Sequence, residues 1–450
     1  MGSLSYSKHI NLQLGWPTPR LFPSKALIDA AQTTLSNDEI AAQALVYGPD
    51  PGHERLRKAL ATWLNDFYSP ESGRTEPENL LITNGASGAL AVILSRFTHP
   101  AITRRIWMIE PTYFLACPSF QDAGFEGRLC GVPEDDEGID IEFLRRGILK
   151  ANQETSANVS ALESSRHPKV YQHVVYAVPT FSNPSAKTMS LRRREQLVSL
   201  AREFDALIIT DDVYDWLRWP VEESAVDCRD MPNPPPRLVD VDRSMPGMSS
   251  WGNTVSNGSF SKVVAPGVRV GWVDSSPDIA RELCKIGPVN SGGCQSHLSS
   301  MFICELLASG TLENHIQSTL IPIYRKRYMR MLESIKLNLY PLGFKISSSH
   351  STASRNEPKE SVAGGFFLYI DFPSNSPAVE EVAAIALADY NLRIAHGGMM
   401  LVKGDESCIQ RAKATFGRGA RLCWAWHEEY EIDEGIRRLA AAFRDALTRA

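Results

Sequence analysis

Residues 257–272 read NGSFSKVVAPGVRVGW, a stretch that sets one lysine, Lys262, behind Ser259 and Ser261 and follows it seven positions later with Arg269. Hydroxyls and a guanidinium are phosphate donors. Three of them within eleven residues make a site for a dianion and hold the Lys262 ammonium beside it. Four other places present polar groups directly after an apolar run. After NLLIT comes Asn84-Gly85-Ala86-Ser87-Gly88, where free backbone N–H groups at a helix start form an anion cradle, or an ordinary glycine turn. After RIWMI comes Tyr113, whose ring either stacks on a flat ligand or packs in the core. After VVYAVP comes Asn183, an amide for a ring oxygen or simply part of an Asn-Pro turn. After ALIIT comes Asp211, followed by Asp212, Tyr214 and Trp216. A carboxylate leaving an apolar strand needs a cationic or protonated partner, and a protonated heteroaromatic nitrogen serves as well as an arginine.

These positions need a scaffold that collects strand ends. Between residues 80 and 211, short apolar runs alternate with amphipathic helix-length segments such as ASGALAVILSRF and RRREQLVSLAREF. Such alternation predicts an α/β fold, a mainly parallel sheet with helices on both faces, whose ligands bind beyond the carboxyl ends of the strands. Ahead of it, residues 1–45 read as a proline-rich arm with a short helix around ALIDAAQTTL, and HERLRKALATWLNDF reads as an amphipathic helix through Leu56, Leu60, Trp63, Leu64 and Phe67. Residues 151–168 and PNPPPR (232–237) read as exposed loops without a chemical signature. From 325 a long helix leads to GGFFLYIDF, RLCWAW and a closing helix with Ile432, Ile436, Leu439, Phe443 and Leu447 on one face, a smaller α+β lobe. The expected division is an N-terminal arm and part of the small domain over 1–45, a large domain over 46–324 and a small domain over 325–450.

Composition agrees with this frame. The chain has 450 residues, beyond the ~250–300 at which a single core stops growing, so two lobes are expected. A formal charge of -5 argues against a nucleic-acid partner. No apolar run approaches the ~20 residues of a membrane span, and the start MGSLSYSKHI lacks the apolar centre of a signal peptide, so a soluble, cytoplasmic protein is expected. Tyr6 stands where a myristoylated Gly2 would require Ser or Thr. Eight cysteines without a CxxC pair argue against a zinc or disulfide framework, and no metal site is expected. Two N-x-S sequons start at Asn158 and Asn257; burial of the second would bar a glycan.

Taken in order, YGPDPG, LITNGASGAL, EPTY, PTFSNP, DDVYDWL, SFSKVVAPGVRVGW, GGFFLYIDF and RLCWAW resemble the fold-type I pyridoxal-phosphate enzymes, class I/II aminotransferase family, from the arm to the last helix. The resemblance implies a seven-stranded sheet in the large domain and pyridoxal 5'-phosphate as cofactor. It makes Lys262 the lysine that forms a Schiff base with the cofactor aldehyde and then, with its pKa lowered, the base for the substrate α-proton. Asp211 would keep the pyridine nitrogen protonated, Tyr214 and Asn183 would bond the ring's phenolic oxygen, and Tyr113 would stack on its face. Ala86, Ser87, Ser259, Ser261 and Arg269 would hold the phosphate. Tyr47 would reach the phosphate of a neighbouring subunit, which implies a homodimer with shared sites. Arg421 would grip the substrate α-carboxylate bidentately, with Gly15, Trp16 and the loop IAHGGMM (His396, Met399, Met400) shaping the side-chain pocket.

The implied reaction transfers an amino group from an aromatic, long aliphatic or 2-aminoadipate-like α-amino acid to a 2-oxo acid. Carbon–sulfur (β-elimination) lyase chemistry on the same cofactor contacts is the alternative. Ala186 stands where the family usually has glycine after Asn183-Pro184, and alanine lacks glycine's freedom at positive φ, so a different loop path is expected there. A regulator with an aminotransferase-like effector domain would need a DNA-binding domain ahead of it, whereas the resemblance begins at residues 10–17.

Overall fold

A computed structural model describes residues 8–154, 167–221, 231–347 and 362–449. The Gly2 reading, Asn158, Cys228 and most of the 151–168 loop lie outside them; residues 151–154 within that loop close the helix Ile141–Glu154.

The alternating apolar runs build one sheet in the order Leu80–Thr83, Gly271–Asp274, Thr254–Ser259, Ala206–Asp211, His173–Ala177, Arg105–Glu110, Leu129–Asp135, Gly138–Ile139. Only Gly271–Asp274 and the terminal Gly138–Ile139 run against the others. Seven strands were expected and eight are present. The eighth is a two-residue return of Leu129–Asp135, pairing Glu134 with Ile139 and Asp135 with Gly138, a hairpin too short to register as an apolar run.

The central strands are buried on both faces, so their sequences read as continuous hydrophobic runs. The two-residue period still sorts them. Ile106, Met108, Val174, Tyr176, Leu207 and Ile209 join one core with the helices Glu54–Tyr68 and Ala86–Phe97. Trp107, Ile109, Val132, Val175 and Ile208 join another with Ile141–Glu154 and Leu191–Glu203.

A second sheet, Lys345–Ile346, Phe367–Asp371, Gly419–Cys423 and Ala395–His396, carries the helices Ile321–Asn338, Val379–Tyr390 and Glu429–Arg449. On the last of these Ile432, Ile436, Leu439 and Phe443 are buried as expected, whereas Leu447, in the last turn, is 46% exposed. The N-terminal segment joins this region: Ile10–Asn11 pairs in parallel with Leu392–Arg393. Behind it the arm is more regular than its prolines suggested. Besides Ser24–Leu35 it holds a second helix, Asp38–Leu45, started by Asn37, whose Oδ1 accepts the amides of Glu39 and Ile40. No helix among the described residues is long and apolar enough to cross a membrane.

The PNPPPR loop is not wholly exposed. It delivers Arg237 into the interior, where the guanidinium meets Asp240 at 2.7 Å and Asp274 at 2.9 Å. Arg243 and the Thr75 hydroxyl (2.7 Å) also reach Asp274 and hold its carboxyl below the ordinary range against the effect of burial. Two buried guanidiniums thus depend on one fully buried carboxylate. Asp274→Asn is expected to destabilise the fold by about 3–5 kcal/mol by leaving those cations short of an anion, measurable by urea denaturation.

Candidate active site

Apart from the IAHGGMM loop, thirteen of the fourteen residues singled out for the cofactor and substrate line one cavity of about 390 Å³ beyond the carboxyl ends of the parallel strands. The exception is Tyr47, which is 84% exposed and stands apart from it.

One end of the cavity is an anion cradle. Gly85 turns the chain at φ +96° from the strand Leu80–Thr83 into the helix Ala86–Phe97, whose first-turn amides have no side-chain cap. A Cβ on Gly85 would lie 2.5 Å from the Arg269 guanidinium, so glycine is needed there for space as well as for φ. Arg269 donates to the carbonyls of Asn84 and Pro266, both at 2.9 Å, which pins its cation over the helix start. The hydroxyls of Ser259 and Ser261 lie 2.9 Å apart on the same wall. Amides of Ala86 and Ser87, two hydroxyls and a guanidinium therefore converge, with the helix dipole adding to their positive potential.

Asp211, the last residue of its strand, lies farther along. Its Oδ1 accepts from Asn257 Nδ2 at 2.7 Å and its Oδ2 from the Tyr176 hydroxyl. Burial pushes its carboxyl up to about 6, while these two donors pull it down. The neighbouring Asp212 points the other way and accepts from Thr210 (2.7 Å) and Ser256 (2.5 Å) inside the protein, so the adjacent acids have separate surroundings. Asn257 Nδ2 also donates to Ala86 O at 2.9 Å and ties the acid to the helix start. Full burial of Asn257 bars a glycan on it.

Lys262 projects between these ends. Its Nζ donates to Gly15 O at 3.1 Å and lies 5.8 Å from the centre of the Tyr214 ring and 5.4 Å from that of Phe366. Burial lowers its amine to about 8, and the Arg421 cation pushes the same way. Arg421 is itself buried. It donates to Asn183 Oδ1 at 2.5 Å and to Gln13 O, stacks 4.2 Å over the Phe367 ring, and leaves its Nε without a partner. An orphaned guanidinium N–H in a cavity wall is a waiting anion donor. Tyr113 is half-buried on the cavity wall, and Trp16 stands 59% exposed at the mouth, edge-on to Trp426.

Two expectations change. The loop IAHGGMM does not line the cavity: His396 faces Glu380 at 3.6 Å and Met400 is fully buried in the core. Three residues ahead of His396, Arg393 lines it instead. Ala186 adopts φ +60° in the left-handed region, so this alanine takes the positive φ that its side chain was expected to disfavour. Tyr176 and Asn257 also went unread as site residues. Tyr176 looked like one more member of an apolar strand, and Asn257 like a sequon.

The class I and II aminotransferase family model matches residues 9–353. An uncharacterized protein of Saccharomyces cerevisiae is 35% identical over 96% of this chain and 96% of its own length. Aromatic-amino-acid aminotransferase 1 of Thermococcus litoralis is 28% identical over 97% of this chain and 88% of its own. Among solved structures, Pyrococcus horikoshii kynurenine aminotransferase in complex with pyridoxamine phosphate superposes with a TM-score of 0.76 at 27% identity, covering 98% of this chain and 92% of that one. The chain therefore belongs to the class I and II aminotransferases and is a pyridoxal-phosphate-dependent enzyme of that family.

Proposed function

We propose that the cavity binds pyridoxal phosphate with its phosphate on Ala86 N, Ser87 N, Ser259, Ser261 and Arg269, its ring nitrogen on Asp211 and its aldehyde toward Lys262, and that it transfers the amino group of an aromatic or 2-aminoadipate-like α-amino acid to a 2-oxo acid. The observation that carries this reading is the order of groups along one cavity: a cationic helix start, a buried carboxylate, and a buried amine whose pKa has fallen to about 8. The donor set fits the cofactor because each end supplies the charge its counterpart lacks. Bound there, the cofactor supplies a carbonyl carbon that bonds an amine and a protonated ring that accepts electrons from the substrate Cα.

The chain's own residues do the rest. Asp211, ionised above about 6, keeps a proton on the ring nitrogen it faces. Tyr214 and Asn183 donate toward the phenolic oxygen, and Tyr113 covers a ring face. Arg421 turns its unpartnered Nε and the adjacent Nη toward the substrate α-carboxylate. Lys262 Nζ, neutral for much of its time near pH 8, would take the proton from Cα and hand it to the carbon that had carried the cofactor's aldehyde, not back to Cα.

Relatives named for aromatic amino acids, kynurenine and 2-aminoadipate support this donor range. Trp16, Phe114 and Leu115 along the cavity offer apolar surface for it. No observation favours the lyase alternative.

A homodimer is part of the same proposal. Ile28, Leu35 and Leu45 on the arm and Val46 and Tyr47 just after it are all exposed, an apolar surface suited to a second copy that would bring Tyr47 to the partner's phosphate. A cytoplasmic setting accords with seven described cysteines, all unpaired.

Three outcomes are expected. A panel of amino acids added to the holoenzyme without acceptor shifts the cofactor absorbance band for true donors, and Lys262→Ala loses transamination by at least about a thousandfold, since it removes both the covalent anchor and the base. Turnover by that variant would refute the assignment. Leu45→Asp yields a monomer by analytical ultracentrifugation with weaker cofactor retention; an unchanged dimer would place the interface elsewhere. The third concerns stability. Because the folded amine titrates near 8 against an ordinary 10.5, the unfolded chain binds more protons between those values, so the cost of burying Lys262 is full below pH 8 and fades as pH rises to 10.5. Cofactor-free Lys262→Met should melt several degrees above wild type at pH 7, with the gap closing by pH 10.

A further inference from the structure

We infer that Arg393 is a specificity-determining residue of this site, receiving the distal carboxylate of a dicarboxylic amino acid or 2-oxo acid whose α-carboxylate lies on Arg421. The inference rests on the aminotransferase reading above.

Among the described residues, the charged groups on the cavity wall besides Asp211 are four cations: Lys262, Arg269, Arg393 and Arg421. A dianionic phosphate offsets Arg269 and the helix end. A protonated ring nitrogen offsets Asp211, and an α-carboxylate offsets Arg421. Arg393 remains, and its side chain has no ion pair or hydrogen bond with another described residue. Solvated arginines are common on surfaces. This one lines the catalytic cavity.

Strand register adds the geometry. Ala395 pairs antiparallel with Arg421, and Arg393, two residues earlier on the same extended segment, shares its face. Diagonal positions of this kind have Cα atoms about 7–8 Å apart. On the other side Arg393 pairs with Asn11, which also lines the cavity, as does Gln13, whose carbonyl holds Arg421. The terminal carbons of an extended five-carbon dicarboxylate are ~5 Å apart, from four C–C bonds of about 1.5 Å. Two guanidiniums extending from one face over that spacing can each take one end. Arg393 is the exposed member, open to exchange as substrates alternate, whereas Arg421 is buried and fixed by two acceptors. The apolar groups at the mouth, Trp16 and Leu115, leave room for an aromatic donor in the same cavity, so the second arginine separates substrates by charge without closing the site to the other class.

The test compares wild type, Arg393→Gln and Arg393→Lys as holoenzymes, with 2-oxoglutarate and 2-oxohexanoate as acceptors for one aromatic donor. The ratio of kcat/KM for the dicarboxylic over the monocarboxylic acceptor should fall about ten- to a hundredfold in Arg393→Gln, chiefly through KM, and recover in part in Arg393→Lys. An unchanged ratio overturns the inference. Calorimetric titration with glutarate and with pentanoate gives a second readout that needs no turnover: glutarate affinity should drop in Arg393→Gln relative to pentanoate affinity, and an equal change in both refutes the assignment. If wild type transfers amino groups to neither acceptor, the proposed reaction fails, while the glutarate titration still decides for or against Arg393.

Discussion

The amine of Lys262 is half-buried in the cavity wall with a backbone carbonyl and two aromatic faces as its company, and the rest of the site is arranged around keeping it so. A lysine in such a place gives up its proton more readily than one at the surface, because burial disfavours the charged form. A carboxylate in salt-bridge contact would undo that by stabilising the ammonium. The one acid among the described residues of the cavity, Asp211, is instead occupied by donors of its own, Tyr176 and Asn257. Separation of acid and amine within one cavity follows from where strand ends fall. Asp211 closes one parallel strand, while Lys262 stands in the turn just after its neighbour, Thr254–Ser259.

That arrangement depends on a rigid floor. The helix start at Gly85 accepts the Arg269 side chain only because no Cβ intervenes, and the Arg269 backbone itself sits at φ +50° to bring its guanidinium there. Beneath the site, Arg237, Arg243, Asp240 and Asp274 bind the 232–237 loop to the strand Gly271–Asp274, which leads back from the lysine turn. Buried ion pairs of this sort add little net stability against an apolar substitute, yet they penalise any shift that unpairs them. Rigidity, more than stability, is what a site with several fixed donors requires.

Much of this was legible in the residues. The strand and helix segments from Leu80 to Asp211 declared themselves by length and period, and the functional residues stood where polar groups follow apolar runs. What escaped reading shares one physical cause, the dependence of contacts on register. Tyr176 is indistinguishable in sequence from a core tyrosine until Tyr176 is seen to pair beside Ile209, two residues before Asp211. Arg237 looked exposed because it follows prolines, and the acids that bury it lie in the helix Leu238–Ser244 and a distant strand. Arg393 is an unremarkable cation until two pairings, with Asn11 on one side and through Ala395 with Arg421 on the other, turn it toward the cavity wall. His396 and Met400, chosen by family position, belong to the adjoining packing instead.

The same two-residue period that sorts the core also assembles the site. Asn257 pairs directly with Asp211 across parallel strands, and Ser259 follows two residues later on the same face. Tyr176 approaches Asp211 from the strand on its other side. One face of three adjacent strands therefore presents a phenol, a carboxylate, an amide and a hydroxyl in fixed order, and Asn257 connects that row to the Ala86 carbonyl at the helix start. A one-residue slip of Thr254–Ser259 would turn Asn257 and Ser259 away together and expose Ser256 and Gly258 in their place. Anion cradle and acid are thus specified by a single register, which is why a short run of small polar residues ahead of Lys262 carries so much of the chemistry.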